Sequence, residues 1–285
     1  AVNYFYATPV INPRTQPVGL SQNGTAGNGI QVMSLSRTPV VTGGTQTICA
    51  LANADTREAI AWLYDHPLGR TKIDSGAWEF TAWYCVDSGA GTTTVTNNIY
   101  QVVPISAGTI TVTGATANAR TAKITSNQFT GIYFTASTVN TNSSWLQTTS
   151  GIYQICAKVN NNEVCIVVPT GYVNDTAVTG NTWNKLFGAT SADINDTVFT
   201  CNVTTLTEPE FIINCGDKLG RIGFLSSSAI HTTSINFNGS TQASYFTSPL
   251  AVLHNDLSGV QGKVGDEAYH ITQSQAVVVE PREGP

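Results

Sequence analysis

The side chains that most often perform acid–base catalysis or bind metals are few and widely spaced in this sequence. There are four histidines, and two of them, His254 and His270, flank Asp256. Three copies of this segment around a common axis could hold a metal ion, but no His-x-His spacing supports ligation. Ordinary hydrogen-bonded histidines are therefore the favoured interpretation, and we predict no metal and no cofactor.

The carboxylates show no catalytic arrangement either. Glycoside hydrolysis needs two carboxyl groups that flank one bond, and the spacing of Glu79, Glu163, Glu208 and Glu210 nominates no such pair. The oxygen-rich stretch 193–196 lacks the glycine and the closing glutamate of an EF-hand, so a turn capped by Asp and Asn side chains is favoured over a Ca²⁺ site. We predict that the protein is not an enzyme.

Six cysteines occur, without the CxxC or Cys/His clusters typical of zinc sites. A hairpin with an Asn160-Asn161 turn would place Cys156 opposite Cys165 and permit a disulfide. The opening residues AVNYFY are unlike a signal peptide, so we expect synthesis in a cytoplasm. Because thiols stay reduced in that compartment, the favoured interpretation is that most cysteines are small buried apolar side chains.

Aromatic side chains are the remaining candidates for ligand binding. Trp83, Trp145 and Trp183 could stack on sugar rings, although a tryptophan on an alternating strand usually faces a core or a subunit interface. Both interpretations stay open at this point.

The composition favours a β fold with a polar but weakly charged surface. The 285-residue chain has 41% hydrophobic and only 11% charged residues, against roughly 25% charged residues in an ordinary soluble domain. A net charge of -5 without a basic cluster argues against nucleic-acid partners. No apolar run approaches the roughly 18 residues that cross a membrane, so we expect no membrane insertion.

From Ile73 onward the apolar residues recur with a period of two. In the segment WEFTAWYCV, from Trp78 to Val86, alternate residues share each face, which predicts a strand covered at least partly on both sides. Similar short segments follow, separated by Gly, Asn, Asp or Pro, as in β-sandwiches and jelly rolls. The pair Asn238-Gly239 predicts a type I′ hairpin with Ile235 opposite Gln242.

Residues 1–47 are rich in Pro, Gly, Thr and Gln and predict an extended N-terminal arm with one strand at 30–35. The arm has too little apolar periodicity to form its own core. We therefore expect another subunit to bury its larger apolar side chains, which are Tyr4, Phe5, Tyr6 and Val10.

Residues 48–72 are expected to form a helical connector. The segment ADTREAIAWLYDHPLG has apolar residues at helical spacing and predicts one short helix near 55–65. Asp55 would cap this helix, and Pro67 and Gly69 would end it.

Three segments resemble tailed-bacteriophage virion proteins of the fibre and fibre-adaptor kind. IDSGAWEFTAWYCVDSGAGTTTVTNNIYQV at 73–102 is similar to the opening of a jelly-roll module in those proteins. EFIINCGDKLGRIGFLSSSAIHTTSINFNGSTQASYFTSP at 210–249 is similar to its closing strands. HNDLSGVQGKVGDEAYHIT at 254–272 resembles a linker motif that recurs in phage fibres, with Lys263 and Ile271 where the family usually has Gly and Leu.

Pattern and resemblance together predict an all-β fold. Residues 73–250 are expected to form an antiparallel β-sandwich or jelly roll, with an inserted or second β subdomain at about 103–184. Residues 251–285 are expected to form the linker motif and a C-terminal tail. Its glycines permit turns and its polar groups could bond between chains, so the interface candidates there are His254, Asn255, Asp256, Leu257, Gly259, Gly262, Tyr269 and His270.

The resemblance implies a structural protein of a bacteriophage virion, assembled in the host cytoplasm. It would act as a fibre, a fibre adaptor or a related tail or capsid-surface protein, through self-association as a homotrimer and attachment to other virion proteins. The alternatives are a host-attachment module that binds a carbohydrate receptor, such as a host surface glycan, and a capsid decoration protein.

Overall fold

The computed structural model describes residues 3–11, 32–39, 45–50, 58–105, 110–116, 119–123, 142–148, 151–167, 175–177, 180–229, 232–236 and 241–250. Within these ranges the protein is all-β, as the composition and the two-residue period predict. The strands are β1 (Asn3–Ile11), β2 (Val32–Ser36), β3 (Thr45–Ala50), β4 (Glu58–Tyr64), β5 (Lys72–Ile73), β6 (Gly76–Val86), β7 (Thr93–Pro104), β8 (Ile110–Thr116), β9 (Ala119–Lys123), β10 (Trp145–Thr148), β11 (Gly151–Asn160), β12 (Glu163–Val167), β13 (Asp175–Ala177), β14 (Asn181–Thr190), β15 (Thr200–Glu208), β16 (Phe211–Ile212), β17 (Lys218–Ser227), β18 (Thr232–Asn236) and β19 (Tyr245–Ser248).

Strand β6 organises one part of a large, mostly antiparallel sheet. Along one edge it pairs with β15, and along the other it pairs first with β19 and then with β18. Strand β3 pairs with β18, while β1 pairs with β19 and β2 with β1. This part of the sheet therefore has the order β15, β6, β19, β1, β2.

Strand β2 joins this part to the rest of the sheet. It pairs in parallel with β4, and the ladder then continues through β17, β7 and β14. Beyond β14 it continues through β10, β11, β12, β9, β8 and β13, all of them antiparallel. The strands between residues 103 and 184 thus extend the same ladder.

Side chains from the two parts of the sheet belong to one apolar cluster. Trp78 of β6 contacts Phe187 of β14 with ring centroids 4.7 Å apart, and the Arg221 guanidinium of β17 lies 5.9 Å from the Phe80 ring of β6. These strands are not ladder neighbours, so the contacts span the core. Strand β6 alternates as predicted, because its buried face consists of Trp78, Phe80, Ala82, Tyr84 and Val86.

The helix predicted near 55–65 is wrong for the residues that the structure describes, because Glu58–Tyr64 form strand β4. The strand lies between β17 and β2, and both of its faces are buried. Ile60 and Trp62 face the main core, whereas Ala61 and Leu63 belong to a second apolar cluster on the other side. A strand that is apolar on both faces has no alternation to distinguish it from a helix.

The expectation that the N-terminal arm needs another subunit to bury its apolar residues is wrong for Phe5. This side chain has no exposed surface, and its ring stacks on Phe246 of the same chain with centroids 4.9 Å apart. The strand predicted at 30–35 is confirmed as β2, which runs from Val32 to Ser36. Strands β1, β2, β3 and β4 are therefore part of the large sheet.

Two predicted hairpin pairings are also wrong. The sequence predicts that Ile235 lies opposite Gln242, but it pairs with Gln46 on one side and with Tyr84 on the other. Both positions beside Ile235 are therefore occupied by other strands. In the β11–β12 hairpin, a register shift places Ala157 rather than Cys156 opposite Cys165. Local turn propensity did not determine either register, because neighbouring strands and a bulge set them.

Replacing Gly220 with alanine is expected to lower the free energy of unfolding by about 1–3 kcal/mol, because overpacking a dense core forces neighbours to move. A Cβ atom at this position would lie 2.4 Å from Cζ3 of Trp183 and 2.8 Å from Cγ2 of Val102. Gly216→Ala is the matched control, since a Cβ there meets no atom within 4 Å. Urea denaturation of both variants measures the difference, and equal stabilities would contradict the packing described.

Candidate functional site

The most distinctive exposed feature is an aromatic surface made by Tyr4, Tyr6 and Tyr245, which we name the tyrosine face. In the β1–β19 ladder, Tyr6 lies opposite Tyr245 and Phe5 lies opposite Phe246. Because directly opposed residues share a face of the sheet, this register turns both phenylalanines into the core. The same register turns the tyrosines outward.

The three rings of the tyrosine face contact one another. Tyr4 and Tyr6 are nearly parallel with centroids 5.9 Å apart, and Tyr245 lies 5.5 Å from Tyr4 and 5.3 Å from Tyr6. Tyr4 is 41% exposed, whereas the other two rings are half-buried. Partial burial, followed by the proximity of Tyr245 and Tyr4, raises the pKa of Tyr6 above its ordinary value. The Tyr6 phenol is therefore neutral at physiological pH.

The tyrosine face continues onto β6 and β15. Tyr245 lies opposite Thr81 in one ladder, and Thr81 lies opposite Val203 in the next. The Thr81 hydroxyl donates a hydrogen bond to the Glu79 carboxylate at 3.1 Å, which places one negative charge beside the rings. Thr81 itself is buried, and the exposed members of this sheet face are Tyr4 and, on β15, the β-branched apolar residue Val203. Such groups occur in surfaces that bind other proteins or sugars.

A buried cation lies beneath this surface, in the core. Arg221 has no exposed surface, and its Nε and Nη2 atoms donate to Oδ1 of Asn97 at 3.0 and 2.7 Å. Its guanidinium lies 4.9 Å from the ring centre of Trp62. Among the described residues no carboxylate pairs with it, and burial lowers the pKa of Arg221 from its ordinary value. The aromatic rings, the Asn97 amide oxygen and the Tyr84 hydroxyl, which accepts from Nη2 at 3.5 Å, thus stabilise the charge, which indicates a structural role.

One surface pocket of about 290 Å³ is lined by Arg70, Lys72, Asp74 and Cys215, among others. The Lys72 charge is already paired, because Lys72 Nζ lies 3.0 Å from Asp74 and 2.7 Å from Glu210. The hydrogen bonds to Glu210 and then to Asp74 raise the pKa of Lys72. The pocket therefore offers neither a free nucleophilic amine nor a pair of opposed carboxylates.

The oxygen-rich stretch 193–196 forms part of a small cavity of about 40 Å³. The Asp193 carboxylate accepts a hydrogen bond from the Thr93 backbone N–H at 2.8 Å, and the Ile194 N–H donates to the Thr93 carbonyl at 2.7 Å. These bonds fasten the loop to β7. Within the described ranges, no group of three or more His, Cys, Asp or Glu side chains could hold a metal ion.

The tryptophans for which both sugar stacking and a core position stayed open are mostly inaccessible. Trp145 and Trp183 are fully buried and oppose each other in the β10–β14 ladder, so the sugar-stacking hypothesis is wrong for both. Trp83 is half-buried. Free thiols are present at four described positions, of which Cys85 and Cys165 are half-buried and Cys201 and Cys215 are exposed. The interpretation of the cysteines as buried apolar side chains is therefore wrong for these four positions.

The structure brings together part of the predicted site. Tyr4 and Tyr6 share the tyrosine face, Phe5 lies in the core, and Val10 lies on strand β1. The sequence analysis missed Tyr245, although its alternation with Phe246 in TQASYF indicates an outward position. The linker candidates lie outside the described residues, and they are His254, Asn255, Asp256, Leu257, Gly259, Gly262, Tyr269 and His270.

Comparison with known proteins gives no relative from which to transfer a role, because no family model and no curated protein matches the chain. None of the described residues belongs to a helix long and apolar enough to span a membrane.

Proposed function

We propose that this protein is a structural component of a bacteriophage virion that acts by binding copies of itself and neighbouring virion proteins. The observation that carries the proposal is the tyrosine face with its extension onto β15. It is a wide sheet surface suited to protein contacts. Lys72 and Asp193, which line the two described pockets, are engaged in an ion pair and a hydrogen bond. The resemblance of 73–102, 210–249 and 254–272 to fibre and fibre-adaptor proteins supports the same role.

The proposed architecture is a jelly-roll β-sandwich with a β-rich insertion at about 103–184. Contacts such as that between Trp78 and Phe187 support two facing layers. The proposed assembly is a homotrimer, which follows from the fibre resemblance, located in a virion that forms in the host cytoplasm. In this assembly the linker motif joins the chains, and the tyrosine face contacts another virion protein.

Deleting residues 254–285 is expected to reduce oligomer mass and to prevent incorporation into particles, while the fold of the rest persists. Sedimentation and quantitative particle composition measure the two losses, and far-ultraviolet circular dichroism checks the sheet. A parallel variant, Tyr4→Ser with Tyr245→Ser, is expected to retain oligomer mass but lose incorporation. If both variants enter particles as the unaltered protein does, the structural role is overturned.

The tyrosine face also favours a second function, which is binding a host surface glycan. Aromatic rings stack on the apolar faces of sugars, and Glu79 beside them could accept hydrogen bonds from sugar hydroxyls. A glycan array on the full chain distinguishes the two functions. Selective binding that Tyr245→Ala abolishes would establish the receptor function, whereas no selective binding is expected of an assembly protein.

A further inference from the structure

Among the strands that the structure describes, β15 lies at an edge of the sheet. Nine consecutive residues pair with β6, from Thr200 opposite Tyr84 to Glu208 opposite Gly76, without a register shift. Within the part of the chain that the structure describes, β6 is the sole ladder partner of β15. Its outer edge therefore presents a regular row of backbone N–H and C=O groups that can pair with another strand.

Natural edge strands usually carry features that prevent such pairing, and β15 has few of them. Its sequence TCNVTTLTE contains no Lys, Arg or Pro, its ladder has no bulge, and its one charged residue is the terminal Glu208. Outward-facing residues along it are small, β-branched or apolar, and Val203 near its middle is 55% exposed. An uncharged, regular edge rich in threonine is well suited to strand addition.

We propose that β15 pairs antiparallel with β15 of a second copy of this chain, across a twofold axis near Val203 and Thr204. The strand's own charge pattern selects this partner and direction. In a parallel pair the two Glu208 carboxylates would lie side by side, which is destabilising. In the antiparallel pair they lie at opposite ends, and the Val203 side chains of the two copies meet near the axis.

This pairing rests on the proposed self-association and names one of its contacts. It also predicts that the assembly contains an even number of copies. A twofold contact is self-complementary and joins copies in pairs. Combined with the threefold contact of the proposed homotrimer it joins two trimers into six copies, and alone it gives two. In both cases the ladder from β1 through β19 and β6 to β15 continues into the partner, so two tyrosine faces lie on one extended sheet.

The test is Val203→Lys, which places two like charges at the axis and a charged side chain on the edge. The control is Ile212→Lys on β16, since Ile212 is also an exposed apolar strand residue, at 73% exposure. Sedimentation is run with a reductant, because Cys201 is an exposed thiol on the same strand. We expect an even copy number for the unaltered chain, half that mass for Val203→Lys, and no change for Ile212→Lys.

Hydrogen exchange provides a second measurement that does not depend on a variant. Alternate amides of β15 that point away from β6 are expected to be protected in the assembled protein and to lose protection on dilution. An odd copy number, an unchanged mass for Val203→Lys, or fast exchange of these amides at all concentrations would overturn the pairing. The virion role is judged separately by particle incorporation. An unchanged mass for Val203→Lys rejects this contact, and normal incorporation of the same variant leaves the virion role standing.

Discussion

Replacing Phe5 with alanine is expected to lower the free energy of unfolding by about 3–5 kcal/mol, the usual cost of truncating a fully buried phenylalanine. The ring stacks on Phe246 and contacts Tyr64 edge-on with centroids 5.2 Å apart. The guanidinium of Arg37 lies over the Phe5 ring, 4.6 Å from the ring centre. Truncation would leave a cavity at the junction of β1, β2, β4 and β19.

The control for this experiment is the adjacent residue on the opposite face. Tyr4→Ala removes a ring that is 41% exposed and lies outside the core, so we expect a loss of about 1 kcal/mol or less. Urea denaturation of the full chain measures both variants. Equal losses would show that β1 is not docked in the core of its own chain.

The second large effect is expected at the buried cation. Replacing Asn97 with leucine removes the acceptor of two guanidinium hydrogen bonds and leaves the Arg221 charge buried with few partners. Removing one partner of a buried charge typically costs about 3–5 kcal/mol, and we expect a loss of about 3 kcal/mol because the Trp62 ring still contacts the guanidinium. The free energy of unfolding is again measured in urea.

A double variant makes this prediction specific. Adding Arg221→Met to Asn97→Leu replaces both polar partners with apolar side chains, which is often tolerated in a core. The double variant is therefore expected to be more stable than Asn97→Leu alone. If it is less stable, the destabilisation comes from lost packing and not from the unpaired charge.

These contacts change the interpretation of the N-terminal region. A polar, glycine-rich segment before the first clear strand pattern is typical of an arm that binds a neighbour. Here β1 instead lies between β2 and β19 and pairs with both. The residues of β19 are about 240 positions away from β1 in the sequence. Of the predicted arm contacts, Tyr4 and Tyr6 remain available to a partner, whereas Phe5 stabilises its own chain.

Much of the fold was determined by local sequence. Strands β6, β7, β11 and β17 follow from apolar alternation and the Gly, Asn or Pro residues between segments, because the side chains of a strand alternate between two faces wherever it lies. The all-β class follows from the same pattern. The scarcity of charged residues, which also needs no structure, indicated a surface suited to contacts.

Tertiary structure alone decided the features that depend on distant partners. The residues of β4 suit a helix or a strand, and pairing with β17 and β2 selects the strand. Tyr4, Tyr6 and Tyr245 meet only because one register aligns β1 with β19, about 240 positions apart. Burial of Arg221 depends on aromatic rings from several strands. The outer edge of β15 is open because the other described strands pair with different neighbours. Alternation specifies which side chains share a face, but it carries no information about which strand lies next to it.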